Sequence, residues 1–161
     1  MLEYPFAKPM SALDRLIACA GSWRGTKILQ DPPTLDPVES PATATIVPLL
    51  ERRFVRLDYT WSYKGKPQQG SILVGFNPKP ARASAYWIDS WHNGFGVMTC
   101  DGTADEAGVI DVLGSYPAPP GPDWGWRIVI APTDNAVRIV MHNIWPEGRE
   151  EPAVEARFTR I

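Results

Sequence analysis

The chain has 161 residues, 44% of them hydrophobic and 21% charged, with a formal net charge of −2. That length and apolar content suit one domain with a sizeable core, burying roughly 70% of the unfolded surface. The charge balance lacks the basic excess that nucleic-acid binding needs, and 11% aromatic residues at low net charge exclude a disordered chain.

The first predicted element is a helix over residues 10–20. Ser11 followed by Asp14 is a capping-box-like start; Leu13, Leu16, Ile17 and Ala20 then recur at helical spacing, and Gly21 ends it. A helix this short with one apolar face needs something to cover. It contains Leu16-Ile17-Ala18-Cys19, which reads like a lipoprotein cleavage box. Against that, Asp14 and Arg15 stand where an apolar run belongs, and Glu3 where a basic start belongs. No apolar run approaches the ~18 residues of a membrane span, so no membrane association is expected. Cys19 and Cys100 form neither a disulfide framework nor a zinc spacing; two reduced thiols in a cytoplasmic protein are expected, Cys100 buried and inert.

After Gly21 the hydrophobic period becomes two. Strands are predicted over 22–30, 42–48, 53–63, 69–76, 84–92, 96–103, 108–116, 124–131, 136–145 and 152–160. The separators are turn-like, among them Asn77-Pro78-Lys79-Pro80, Asn93-Gly94 and Thr133-Asp134-Asn135. Short connections make neighbouring strands antiparallel, and about ten of them hide their edges best by closing into an up-and-down barrel over residues 21–161. Eight of the seventeen prolines lie in two connections, a long link over 31–41 and a stiff loop over 117–123 that could frame a barrel mouth.

Alternation assigns faces. Val55, Leu57, Tyr59 and Trp61 point inward in the third strand, Val137, Ile139, Met141 and Asn143 in the ninth, and Val154, Ala156 and Phe158 in the tenth. His142 is thereby outward. A one-residue bulge would reverse any of these. In the fifth strand Trp87, Asp89 and Trp91 share one face, and Tyr86, Ile88, Ser90 and His92 the other. His92, beside Asn93-Gly94, is expected at an exposed turn.

A short helix followed by Gly21-Ser22-Trp23 and antiparallel strands resembles the opening of the calycins, the lipocalin and fatty-acid-binding protein group. The resemblance implies that the Trp23 indole closes the narrow end of the barrel with Arg160 packed across it. The succession GSWRG, PLLERRFVRLDYTW, QGSILVGFNP, YWIDSWH, WGWRI and EARFTRI is similar to the bacterial domain-of-unknown-function 1579 family. That resemblance implies a lipocalin-like barrel and no settled activity. Gly21-Ser22-Trp23-Arg24-Gly25-Thr26-Lys27 is also similar to the Gly-x-Trp-x-Gly-x-Gly start of the nitrobindin haem barrels, with Lys27 in place of the third glycine. This implies haem as an alternative ligand, with His142 as its iron ligand.

The chemistry-bearing residues are few. Five of the seven tryptophans, Trp61, Trp87, Trp91, Trp124 and Trp126, lie in later strands, where indoles either fill a barrel or line a cavity for a flat ligand. Asp89, between two indoles, needs a donor: a Trp N–H, Arg127 or Arg52. No HExxH, paired cysteines, acidic metal cluster or Gly-x-Ser-x-Gly elbow is present, so neither metal nor other cofactor is expected. The first functional reading is binding of a small hydrophobic or aromatic molecule inside the barrel by Tyr59, Trp61, Trp87, Asp89, Trp91, Trp126, Met141 and Asn143. The second is a small metal-independent enzyme pairing Asp89 with His142 or an Arg. The third is a barrel filled by its own side chains. Phe54, Trp124 and Ile144 on strand faces are candidates for a homodimer contact.

Overall fold

The computed structural model describes residues 11–161; Glu3, and Met10 at the expected helix start, lie outside the described residues. The helix α1 (Ala12–Ile17) is shorter than expected. The Asp14 carboxylate accepts the Ser11 N–H at 2.6 Å, and Leu13, Leu16 and Ile17 are buried. The chain leaves the helix at Ala18, so Ala20 escapes the helical spacing and is exposed.

Ten strands follow among the described residues: β1 (Gly21–Asp31), β2 (Asp36–Leu49), β3 (Phe54–Tyr63), β4 (Lys66–Asn77), β5 (Arg82–Asp89), β6 (Met98–Ala104), β7 (Ile110–Tyr116), β8 (Trp124–Pro132), β9 (Ala136–Ile144) and β10 (Glu150–Arg160). Each pairs antiparallel with its chain neighbour, and β1 pairs with β10 from Trp23↔Arg160 to Leu29↔Val154, closing the barrel. Closure leaves no edge strand exposed, which is why a chain rich in short strands can stay unaggregated.

The proline-rich stretch over 31–41 is not a link. After a turn at 32–35 the chain re-enters the sheet, and Asp36–Pro41 pairs with the end of β1. Pairing between β2 and β3 begins only at Thr43↔Thr60, so Pro37 and Pro41 lie where one side of β2 has no ladder to supply. A missing N–H costs nothing there.

Burial follows the expected alternation. Val55, Leu57, Tyr59 and Trp61 in β3 and Val137, Ile139 and Met141 in β9 are buried between outward neighbours. A register shift between Pro152 and Val154 in β10 buries Ala153 and Val154 together, after which Ala156 and Phe158 continue inward.

At one end α1 packs on β2, β3 and β4. The Trp23 indole is fully buried and donates its N–H to the Cys19 carbonyl at 2.8 Å. The Arg160 guanidinium lies 4.5 Å from the Trp23 ring and donates to the carbonyls of Ala20 (3.0 Å) and Ala18 (3.1 Å). One cation thus satisfies carbonyls just beyond the helix and covers the aromatic plug. On the outer surface Phe54 lies over Gly75 and Ile144 over Gly125, while Trp124 stacks on Trp145, which carries Arg149 at 4.0 Å. These apolar groups are therefore partly covered by their own chain. No helix among the described residues is long and apolar enough to cross a membrane.

Candidate functional site

The inward face of β5 carries Ala83, Ala85, Trp87 and Asp89, all buried. The strand ends at Asp89, earlier than the alternation over 84–92 implies. The reason is the Asp89 side chain. Its Oδ1 accepts the backbone N–H of Trp91 (2.8 Å) and of His92 (2.9 Å), an Asx-type turn that pulls the chain out of the sheet. The Asn93 side chain holds the turn from outside by donating to the Trp87 carbonyl at 3.0 Å.

This turn reverses the expectation for His92. Its ring is not at an exposed turn but folds inward, with only 9% of the side chain accessible. Nδ1 lies 3.1 Å from Asp89 Oδ1. Around the imidazole stand Trp91 (4.7 Å between ring centres), Trp87 (5.3 Å), Trp126 (5.7 Å) and Trp61 (5.8 Å).

The other carboxylate oxygen of Asp89 accepts the Tyr59 hydroxyl at 2.6 Å and the Trp61 N–H at 3.2 Å. The Trp87 N–H donates in turn to the Tyr59 oxygen at 2.9 Å. Lys27, almost fully buried, places its Nζ 4.0 Å from Asp89 Oδ2 and 3.3 Å from the Trp61 ring centre. The carboxylate thus meets donors on both oxygens and a cation held by an aromatic face. Arg127 and Arg52 are not its partners. Arg127 lies outside the barrel on Asp111 and Glu150, and Arg52 is exposed in the turn after β2. Nor does His142 pair with Asp89: it alternates with the buried Met141 and looks outward.

The electrostatics follow from these contacts. Burial works to raise the Asp89 pKa, but the hydrogen bond and charge of His92, the charge of Lys27 and the Tyr59 hydroxyl outweigh it, holding the carboxyl well below the usual range. Burial drives Lys27 down to about 7 against the attraction of Asp89. His92 is also lowered, first by burial and then by Lys27, with Asp89 opposing, so at neutral pH it is an uncharged imidazole. A neutral ring with Nδ1 facing a carboxylate carries its proton there, leaving Nε2 as an acceptor. Burial also pushes the Tyr59 hydroxyl up and the Cys100 thiol to about 11, the latter in keeping with an inert core thiol.

Gly70 makes the cluster possible. It faces Tyr59 on one side and Asp89 on the other. A methyl group there would collide with the Tyr59 hydroxyl and stand 2.8 Å from the Ile88 carbonyl oxygen. Gly70→Ala is therefore expected to displace Tyr59 from Asp89 and cost about 1–3 kcal/mol, read as a lower midpoint in urea denaturation.

Beyond His92 the barrel opens. A cavity of about 500 Å³ is bordered by Trp87, Trp91, His92, Asn93, Gly96, Val97, Met98, Ser115, Tyr116, Pro117, Trp126 and Asn143. Trp87 and Trp126 are stacked, 5.2 Å apart and 12° from parallel, and the Tyr116 hydroxyl donates to the Asn143 side-chain carbonyl. Pro117 brings the 117–123 loop to the rim. Deeper in, the lumen is filled: beside Lys27, Tyr59 and Met141 only about 10 Å³ remains. The eight residues expected to contact a ligand therefore divide. Trp87, Trp91, Trp126 and Asn143 border the cavity, whereas Tyr59, Trp61, Met141 and Asp89 lie beneath it. His142 borders no part of the cavity, so the residues do not fit a haem held in the lumen by that histidine. Among the described residues no group of three His, Cys, Asp or Glu could hold a metal ion.

Sequence reasoning missed Lys27 and the inward turn of His92. The first has a signal: Trp23, Gly25, Lys27 and Leu29 alternate, so a lysine falls in the register of the aromatic plug.

The sequence pattern of the family described as a protein of unknown function, DUF1579, matches residues 8–160. No curated protein matches the chain. Among solved structures, the crystal structure of Rv2717c from M. tuberculosis is similar, with a TM-score of 0.63 at 14% identity, covering 96% of this chain and 99% of that one. That likeness is one of fold.

Proposed function

The chain belongs to the DUF1579 family, and we propose that in this member the open end of the barrel binds a small, flat, largely apolar molecule without covalent chemistry. The observation that carries this reading is the cavity of about 500 Å³ walled by Trp87, Trp91 and Trp126, above a lumen nearly filled beside Lys27, Tyr59 and Met141. Its size falls within the usual range for small-molecule sites, and indole walls suit a planar guest. Burying about 200 Å² of apolar ligand surface contributes about 5 kcal/mol before ordering costs. Val97, which borders the cavity, is largely exposed, and Phe95 two residues before it fully so, apolar surface that favours a greasy entrant over a charged one. Two buried, unpaired thiols, Cys19 and Cys100, agree with residence in the cytoplasm.

The test is titration with the uncharged probe N-phenyl-1-naphthylamine, following its emission and the quenching of Trp fluorescence. Saturable binding that weakens about tenfold or more in Trp91→Ala, with the melting temperature nearly kept, supports the reading. Trp91 is only half-buried, so its loss should spare the fold. Binding that is absent, or unchanged in Trp91→Ala, removes the cavity as the site.

A further inference from the structure

Resting on that reading, we propose that the ligand carries a hydrogen-bond donor, a phenolic hydroxyl or a heteroaromatic N–H, and that His92 Nε2 is the acceptor that selects it. The ring borders the cavity, and its Nδ1 is committed to Asp89 at 3.1 Å. The backbone N–H of the same residue is tied to the same oxygen, so ring and main chain are fixed by one carboxylate. Four indoles pack around the imidazole and deny it another rotamer. No group among the described residues hydrogen-bonds Nε2, and it is not sealed from solvent, so its lone pair is accessible on a ring that borders an aromatic-walled cavity. Such a nitrogen accepts one linear hydrogen bond from a molecule lying flat between the rings.

Lone-pair direction adds specificity where the walls provide only adhesion. A donor-bearing guest, whose own rings displace water from the cavity, gains a hydrogen bond to this nitrogen. A guest of the same shape without the donor leaves a desolvated acceptor unpaired, which is the stronger half of the discrimination. The deep cluster gives the device its permanence. Tyr59, Trp61 and Lys27 hold the second oxygen of Asp89, so the carboxylate cannot swing away from the ring.

The experiment compares 2-naphthol with 2-methoxynaphthalene, nearly alike in shape and differing in the donor, by Trp fluorescence titration at neutral pH. The inference expects 2-naphthol to bind roughly ten times or more tightly, and the preference to vanish in His92→Phe while 2-methoxynaphthalene binds that variant at least as well as the parent. Circular dichroism melting confirms that His92→Phe is folded. His92→Gln, which restores a side-chain acceptor, should recover part of the preference. Equal binding of both compounds to the parent overturns the inference and leaves the cavity reading standing. Binding of neither overturns both.

Discussion

Replacing Asp89 by asparagine is expected to cost about 3–5 kcal/mol of folding stability, measured by urea denaturation at neutral pH. The substitution keeps the shape and removes the charge, yet the site cannot use an amide. Oδ1 receives the N–H groups of Trp91 and His92 and faces His92 Nδ1, while Oδ2 receives the Tyr59 hydroxyl and the Trp61 N–H. Whichever way the amide turns, its NH₂ meets donors. Lys27, whose pKa already stands at about 7, loses the charge that helps hold its proton, so it must give that proton up and remain as a buried amine without its partner. Lys27→Met in the Asp89→Asn background should return a portion of the loss, giving a coupling of about 1–3 kcal/mol in a double-mutant cycle. A loss below about 1 kcal/mol for Asp89→Asn would show that the carboxylate is not what fixes this end of the barrel.

The second large effect is a rise of stability with pH. Lys27 has a pKa of about 7 in the folded chain against the ordinary 10.5. Between those values the unfolded chain binds a proton that the folded chain does not, so stability increases as pH rises through this window. The gain from about pH 7 to about pH 9.5 is on the order of 3 kcal/mol. Tyr59 acts in the opposite sense above its ordinary value of 10.0, because its folded pKa is raised, so the measurement belongs below that point. Urea denaturation across the window should show the increase in the parent and its absence in Lys27→Met. Asp89 sets the acid side. Its folded pKa is depressed, so its contribution is complete above the ordinary value of 3.8 and is lost as pH falls below it. A parent whose stability is flat or falls between about pH 7 and about pH 9.5 would contradict the burial of Lys27 beside Trp61 and Asp89.

The barrel was legible because its signal repeats. Strict alternation in β3 and β9 can bury one face only, and the turns between strands are too short for anything but antiparallel neighbours. Proline obscured the start of β2. The residues at 36–41 have loop composition, and only the three-dimensional fact that β3 is absent from their other side lets them stay in the sheet. Asp89 was legible as a buried carboxylate in need of donors, but its partners were not, because they come from β1, β3 and its own turn rather than from the nearest arginines. His92 was misplaced for a local reason. Alternation carries a side chain outward only while the strand lasts, and Asp89 ends it by bonding the next two backbone N–H groups but one. An Asp three residues before a His, followed by Asn-Gly, is the pattern from which that turn can be read. The indoles and the 117–123 loop pointed to a cavity without deciding whether one exists, since the same side chain fills the barrel at Trp23 and borders open space at Trp91.

Nitrogen NMR on histidine-labelled protein reads whether Asp89 holds His92 as a neutral acceptor bordering the cavity. The chain has two histidines, so His92→Phe assigns both signals. At neutral pH His92 is expected to show the tautomer protonated at Nδ1, and added 2-naphthol to shift its Nε2 resonance while His142 stays unmoved. A His92 protonated at Nε2 or at both nitrogens, or a Nε2 signal indifferent to 2-naphthol, would contradict it.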